Sequence, residues 1–314
     1  MPLPPLDPDA AAIAAATADV PPMRTRGITA IRDALEALPH PPGLPEMAAT
    51  EDVLIPGSHG DIPLRVYRPS TTDNAPVLVY FHGGGMCMGS IHSFEPLARN
   101  LAAAAAATVV SVGYHLAPEA PPPVQFDDAY TATGWVAKHA LELGVDAERL
   151  AVVGDSAGGT LAAAVALAAR DLGDPAIACQ VLVYPGLDRD LAAASVTECA
   201  DAPILSRDDV RYLNDLADGD RGQPDSPYRI PAYATDLSGL PPAVVVTAEC
   251  DPIRDWGERY ATRLRDAGVQ TTVTRYPGSY HGFVMQSAHL ARGRLAIAEI
   301  GALLRAKFAH PLPF

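Results

Sequence analysis

The sequence predicts an α/β fold with a mostly parallel central sheet flanked by helices, and three observations point to it. Short apolar, β-branched runs recur along the chain and alternate with longer segments of helical character. Runs such as Val77-Leu78-Val79-Tyr80-Phe81 are apolar throughout, the pattern of strands covered on both faces. The chain has 314 residues, 48% of them hydrophobic, which suffices for one large core.

The elements follow in order. Residues 1–47 form an arm with two expected helices, Asp9 to Thr17 and Ile28 to Leu38, separated by Pro21-Pro22 and closed by Pro41, Pro42, Gly43 and Pro45. Residues 48–314 are expected as one α/β domain. It opens with an antiparallel hairpin, Val53 to Ile55 and Ile62 to Tyr67, with His59 in the connecting loop. Strands are then expected at Val77 to Phe81, Thr108 to Val112, Leu150 to Gly154, Val181 to Tyr184, Ala243 to Thr247 and Thr271 to Tyr276. Between and after them lie helices at Phe94 to Ala107, Asp127 to Leu143, Thr160 to Ala169, Trp256 to Ala267 and Ala288 to Phe308. Residues 187–227 break this rhythm. They are polar and irregular, with one helix from Ser206 to Leu216, and read as an insertion above the sheet that shares a small helical cap with the arm.

A formal charge of −14 excludes a phosphate-binding surface and hence nucleic acid as a partner. Cys87, Cys179, Cys199 and Cys250 show no CxxC pair and no Cys/His ligand spacing, so free core thiols are expected rather than disulfides or a metal site. The first residues lack the basic and apolar regions of a signal peptide, and the alanine-rich runs are too short to span a membrane. A soluble cytoplasmic protein is expected.

The chemistry is carried by Gly154-Asp155-Ser156-Ala157-Gly158, set between a strand and a helix of small residues. A strand that turns sharply into a helix lifts the residue at its apex out of the sheet edge. Gly154 and Gly158 let the two elements pass closely, and Ser156 is the residue exposed. Upstream, His82-Gly83-Gly84-Gly85 directly follows a buried strand. Consecutive glycines let backbone amides converge without side-chain obstruction, as an oxyanion hole requires. The amides of Gly83, Gly84 and Ala157 are the expected donors, with His82 and Gly85 supporting the loop.

A reactive serine needs a base, and the base needs a partner that fixes its tautomer. Among the late histidines, His281 follows the last expected strand, whereas His289 lies in a helical run and His310 near the terminus. For the acid, Glu249, Asp251 and Asp255 all follow the strand ending near Thr247. Asp255 and Glu258 have capping-box spacing for the next helix, and Glu249 is placed to brace the loop. Asp251, before Pro252 and without a competing local role, is assigned as the acid.

Together these motifs resemble the bacterial hormone-sensitive-lipase-like esterases of the α/β-hydrolase superfamily. The resemblance rests on His82-Gly83-Gly84-Gly85, Gly154-Asp155-Ser156-Ala157-Gly158-Gly159, Asp251-Pro252-Ile253-Arg254-Asp255 and His281-Gly282-Phe283. It implies an α/β-hydrolase fold and hydrolysis of short-chain acyl esters by a Ser156–His281–Asp251 triad through an acyl-enzyme. It also implies no metal or organic cofactor, a small-molecule ester as partner, and pairing of two copies through the strand Thr271 to Tyr276. His115 stands where such proteins usually carry arginine, and Met86-Cys87-Met88 departs from their pattern at the acyl pocket. Deacetylation or lactone opening by the same triad is a second reading. A non-catalytic receptor on the same fold is a third, and the His281-Gly282-Phe283 context argues against it.

Overall fold

The computed structural model describes residues 3–219 and 226–311. Part of the expected insertion, 220–225, and the extreme termini, 1–2 and 312–314, lie outside the described residues. The arm holds α1 (Pro8–Ala16), α2 (Met23–Arg26) and α3 (Ile28–Glu36). The domain proper begins with β1 (Ala49–Ile55), β2 (Ile62–Arg68), β3 (Ala75–Phe81), α4 (Glu95–Ala105) and β4 (Thr108–Val112). It continues through α5 (Val124–Lys138), α6 (Ala140–Leu143), β5 (Val145–Asp155), α7 (Ala157–Leu172) and β6 (Cys179–Val183). After the short α8 (Ala194–Glu198) and α9 (Arg207–Asp218) come β7 (Ala243–Cys250), α10 (Arg254–Asp266), β8 (Thr271–Tyr280) and α11 (Ala291–Ala309).

The strands form one sheet of eight in the order β1-β2-β4-β3-β5-β6-β7-β8. Only β1 and β2 run antiparallel to their neighbours; the rest is parallel. Side chains alternate across each strand, so Val77, Val79 and Phe81 join one apolar core with α5, α7 and α10, while Leu78 and Tyr80 join another with α4 and α11. Both faces are covered, as a parallel sheet requires. A third apolar cluster lies above the sheet. It joins Ile31 of α3, Val210 and Leu213 of α9, Met88, Ile253 and Trp256. Among the described residues no helix is long and apolar enough to cross a membrane. All four cysteines are free and buried, and burial pushes each thiol up, to about 12 for Cys87, so none is a ready thiolate at neutral pH.

Several boundaries differ from the sequence expectation, and three of them have a visible cause. The helix expected over Asp127 to Leu143 begins at Val124 and is interrupted at His139, whose ring nitrogen takes the Trp135 carbonyl at 2.9 Å. The last helix starts at Ala291 rather than Ala288, because its first amide is capped at 2.8 Å by the carboxylate of Asp9 in the arm. The last strand runs on to Tyr280 past Pro277-Gly278, with a register shift against β7 between Ala248 and Cys250. At this bulge Gly278 donates its amide to Glu249 at 2.9 Å and accepts from the Asp7 amide at 2.9 Å. Asp7 also pairs with Arg292 at 2.7 Å. The arm therefore splits: α1 lies along β8 and α11, whereas α2 meets α9 through the Arg24–Asp215 pair at 2.9 Å and the Met23 amide on Asp209 at 3.1 Å. Arg32 of α3 ties the arm to the domain. It donates to the carbonyls of Cys87 and Ala117 and pairs with Glu119 at 2.8 Å.

Candidate active site

Strand register explains why distant residues meet. Phe81, at the end of β3, lies opposite Gly154 of β5, so the His82–Gly85 loop leaves the sheet beside the Gly154–Gly158 turn. Two strands further on, Cys250 of β7 pairs with Tyr280 of β8. Asp251 and His281 are the next residues of each strand. All of these emerge at carboxyl strand ends, where sites in open α/β sheets form.

Ser156 sits at φ 54°, ψ −118°, a conformation that costs a non-glycine residue about 1–3 kcal/mol. Three backbone hydrogen bonds hold it there. Its amide donates to Val183, and its carbonyl accepts from Thr160 and Gly186. The turn closes only because of its glycines. A Cβ on Gly154 would lie 2.0 Å from the Gly158 carbonyl oxygen, and one on Gly158 would lie 1.9 Å from that of Phe81. The Ser156 hydroxyl does not cap α7. Instead it lies 2.8 Å from His281 Nε2, and His281 Nδ1 lies 2.7 Å from Asp251 Oδ2. Asp251 is fully buried, and its carboxylate can only accept; the hydrogen is therefore on Nδ1, and the Nε2 lone pair faces the serine. The Asp251 Oδ1 atom accepts the Ile253 amide at 2.9 Å, so this residue also shapes its own turn.

The expected capping box at Asp255 and Glu258 is absent. The helix α10 starts at Arg254 with no side-chain cap. Asp255 accepts from the Ser195 amide and Arg254, and Glu258 binds Thr247 and Arg275. Ser195, Thr247 and Arg275 come from other segments and Arg254 is the neighbouring residue, and together they outcompete a local cap. Asp255 is thus held away from His281 by a different mechanism from the one the spacing suggested.

The expected role of Gly83 also needs correction. Its amide donates to Asp155 Oδ1 at 3.0 Å and is not available to a ligand. Asp155 is buried at the turn and also accepts from the Tyr80 hydroxyl at 2.7 Å. The amides of Gly84, Gly85 and Ala157 donate to no acceptor among the described residues, and Gly85 and Ala157 line one small cavity with Ser156. His82 is buried against Tyr114, their rings 4.4 Å apart, and burial lowers it to about 4. It is therefore neutral, and its Nδ1 donates to the Gly83 carbonyl at 2.7 Å. His82 braces the loop and does not reach the serine. At the position of the departure noted above, His115 Nδ1 meets Asp128 at 2.7 Å.

Burial raises Asp155 to about 6, against the opposing hydrogen bonds from Tyr80 and Gly83. A carboxyl raised by folding binds its proton more tightly in the native state. The associated stability is present below the ordinary value of about 4 and is lost as pH rises through about 6. Asp155→Asn keeps an oxygen for both donors and removes this dependence. Between pH 4 and pH 7 the parent should therefore lose about 2 kcal/mol more unfolding free energy than the variant in urea titrations; parallel profiles would refute the assignment.

Two cavities open above Ser156. The smaller, of about 60 Å³, contains Ser156, Gly85, Leu213 and Trp256 in its wall; the larger, of about 320 Å³, is lined by Pro122, Phe126, Leu161 and Tyr228. Sequence reasoning missed Tyr80, whose hydroxyl is hidden inside an apolar run. It also missed Gly85 as a donor, which the acid inside the Gly-Asp-Ser-Ala-Gly string would have flagged, since a buried acid there needs donors. Arg189 gave no motif signal at all.

Comparison with known proteins agrees with this geometry. A family model described as alpha/beta hydrolase fold matches residues 78–285. The chain is 44% identical over 265 residues to the carboxylesterase NlhH of Mycobacterium tuberculosis, covering 82% of each. It is 43% identical over 263 residues to the esterase LipI of the same species, again covering 82% of each. A solved esterase of Pyrobaculum calidifontis superposes with a TM-score of 0.89 at 38% identity, covering 97% of this chain and 99% of that one.

Proposed function

The chain belongs to the alpha/beta hydrolase fold family and is a carboxylic ester hydrolase of its hormone-sensitive-lipase-like branch, and from that premise we propose that Ser156, His281 and Asp251 carry the reaction. The observation that supports this most is the unbroken hydrogen-bonded chain from Asp251 through His281 to Ser156, at 2.7 and 2.8 Å. Ser156 attacks the acyl carbonyl while His281 Nε2 takes its proton, and Asp251 holds the ring and stabilises the imidazolium. The amides of Gly84, Gly85 and Ala157, which donate to no acceptor among the described residues, receive the oxyanion. His281 returns the proton to the leaving alcohol, then activates a water that releases the acid from the acyl-enzyme. Short acyl groups suit the small cavity beneath α9 and Trp256, and the cap consists of α2, α3 and α9. Pairing of two copies is assigned to the free edge of β8, the outermost strand of the sheet.

A fluorophosphonate probe tests the assignment. One equivalent should add covalently to the peptide containing Ser156 and abolish p-nitrophenyl acetate hydrolysis in parallel, and prior heat unfolding should prevent labelling. Labelling elsewhere with activity retained would remove Ser156 from its role.

A further inference from the structure

The two cavities above Ser156 are not independent. Four residues line both: Met86, Thr160, Arg189 and Ala217. Thr160 is fixed by its hydroxyl on the Gly186 carbonyl at 2.8 Å, and Ala217 contributes only a methyl group. Met86 and Arg189 are the long chains at this boundary, and Arg189 is the one tied to the cap. Its guanidinium reaches Asp218, at the end of α9, at 3.3 and 3.4 Å, and donates to the Asp188 carbonyl at 3.2 Å. The tether therefore runs from the loop after β6 to the cap, and its bonds are long ones that a small change can release.

The larger cavity has a definite chemistry. Its wall brings together Phe126 and Tyr228, stacked 5.1 Å apart at 10°, with prolines and Leu161. Asp127 meets His59 at 2.9 Å and Asp218 meets Arg189, while Arg229 also lines the wall. The stacked rings, prolines and Leu161 suit a flat, largely apolar group.

Building on the ester-hydrolase reading above, we propose that Arg189 is a specificity-determining residue that partitions the substrate site. Its chain, pinned to Asp218, closes the small cavity around a short acyl group and leaves the large cavity to a flat, largely apolar alcohol group. Acyl length is then set by where the arginine lies, because a longer chain must displace it to extend beyond the small cavity.

The test measures kcat/KM of the full chain for p-nitrophenyl acetate, butyrate and octanoate. Arg189→Ala merges the cavities and should raise the octanoate-to-acetate ratio at least tenfold. Arg189→Met retains most of the chain's volume without its charge and should stay within threefold of the parent ratio. An Arg189→Ala ratio within twofold of the parent overturns the partition, as does an equal rise in Arg189→Met. Failure of the parent to hydrolyse the acetate at all would instead overturn the ester-hydrolase reading and this one with it. Phe126→Ala, in the large cavity and away from Ser156, gives an independent measurement whether or not Arg189→Ala folds. It should raise KM for 1-naphthyl acetate at least fivefold more than KM for ethyl acetate, whose small alcohol group fills less of that cavity; equal changes for both esters would remove the alcohol group from it.

Discussion

Ser156→Ala is expected to lower kcat/KM for p-nitrophenyl acetate by about a thousandfold or more, the largest effect of any single substitution in this chain. Among the described residues the hydroxyl makes one side-chain hydrogen bond, with His281 Nε2, and removing it leaves the strained backbone held by the same three hydrogen bonds. Melting should therefore stay within a few degrees of the parent while activity disappears. Because nucleophile, base and acid act as one unit, Ser156→Ala combined with His281→Ala should be no slower than Ser156→Ala alone. The residual rate comes from the amides of Gly84, Gly85 and Ala157, which neither change touches. Steady-state kinetics on purified variants decides the matter, and a Ser156→Ala enzyme keeping a tenth of its activity would require a different nucleophile.

Gly158→Ala should have the largest effect on stability. The added methyl group would stand 1.9 Å from the Phe81 carbonyl oxygen, 2.6 Å from its carbon and 2.7 Å from the His82 carbonyl oxygen, all backbone atoms at the end of a central strand. No rotamer change relieves that contact; α7 must move off the sheet. The cost should reach about 4 kcal/mol or more, which for a domain of this size is a fall of roughly 10 °C or more in Tm. Gly134→Ala, in α5 with nothing within 4 Å of the new methyl group, is the matched control. It should be neutral or stabilise by up to about 1 kcal/mol through helix propensity. Similar melting of the two variants would mean that the turn tolerates a side chain.

The parts of this molecule that local chemistry determines were legible in the sequence. Continuous apolar runs marked β3 through β7, the glycine spacing marked the serine turn, and chain order with strand ends singled out Asp251 and His281. What was not legible depends on partners far away in the chain. Gly83 reads as an amide donor to substrate until Asp155 is seen to occupy it. Asp255 has the spacing of a cap, yet it is claimed by Ser195 and Arg254. Pro277-Gly278 carries the signature of a strand end. The strand nevertheless continues, because Glu249 and Asp7 take the backbone groups that the bulge leaves unpaired. In each case at least one competitor lies on another element, beyond any window of local sequence.

The bracing of that bulge has a consequence for how the protein comes into being. Asp7 and Asp9 are synthesised well before the groups they seize, on Arg292 and Ala291, which follow 285 and 282 positions later. That segment waits, undocked, until both have been made. Since the arm buttresses the histidine's own loop from outside, the 125 positions made between Ser156 and His281 pass with the serine lacking the ring nitrogen it meets in the folded chain.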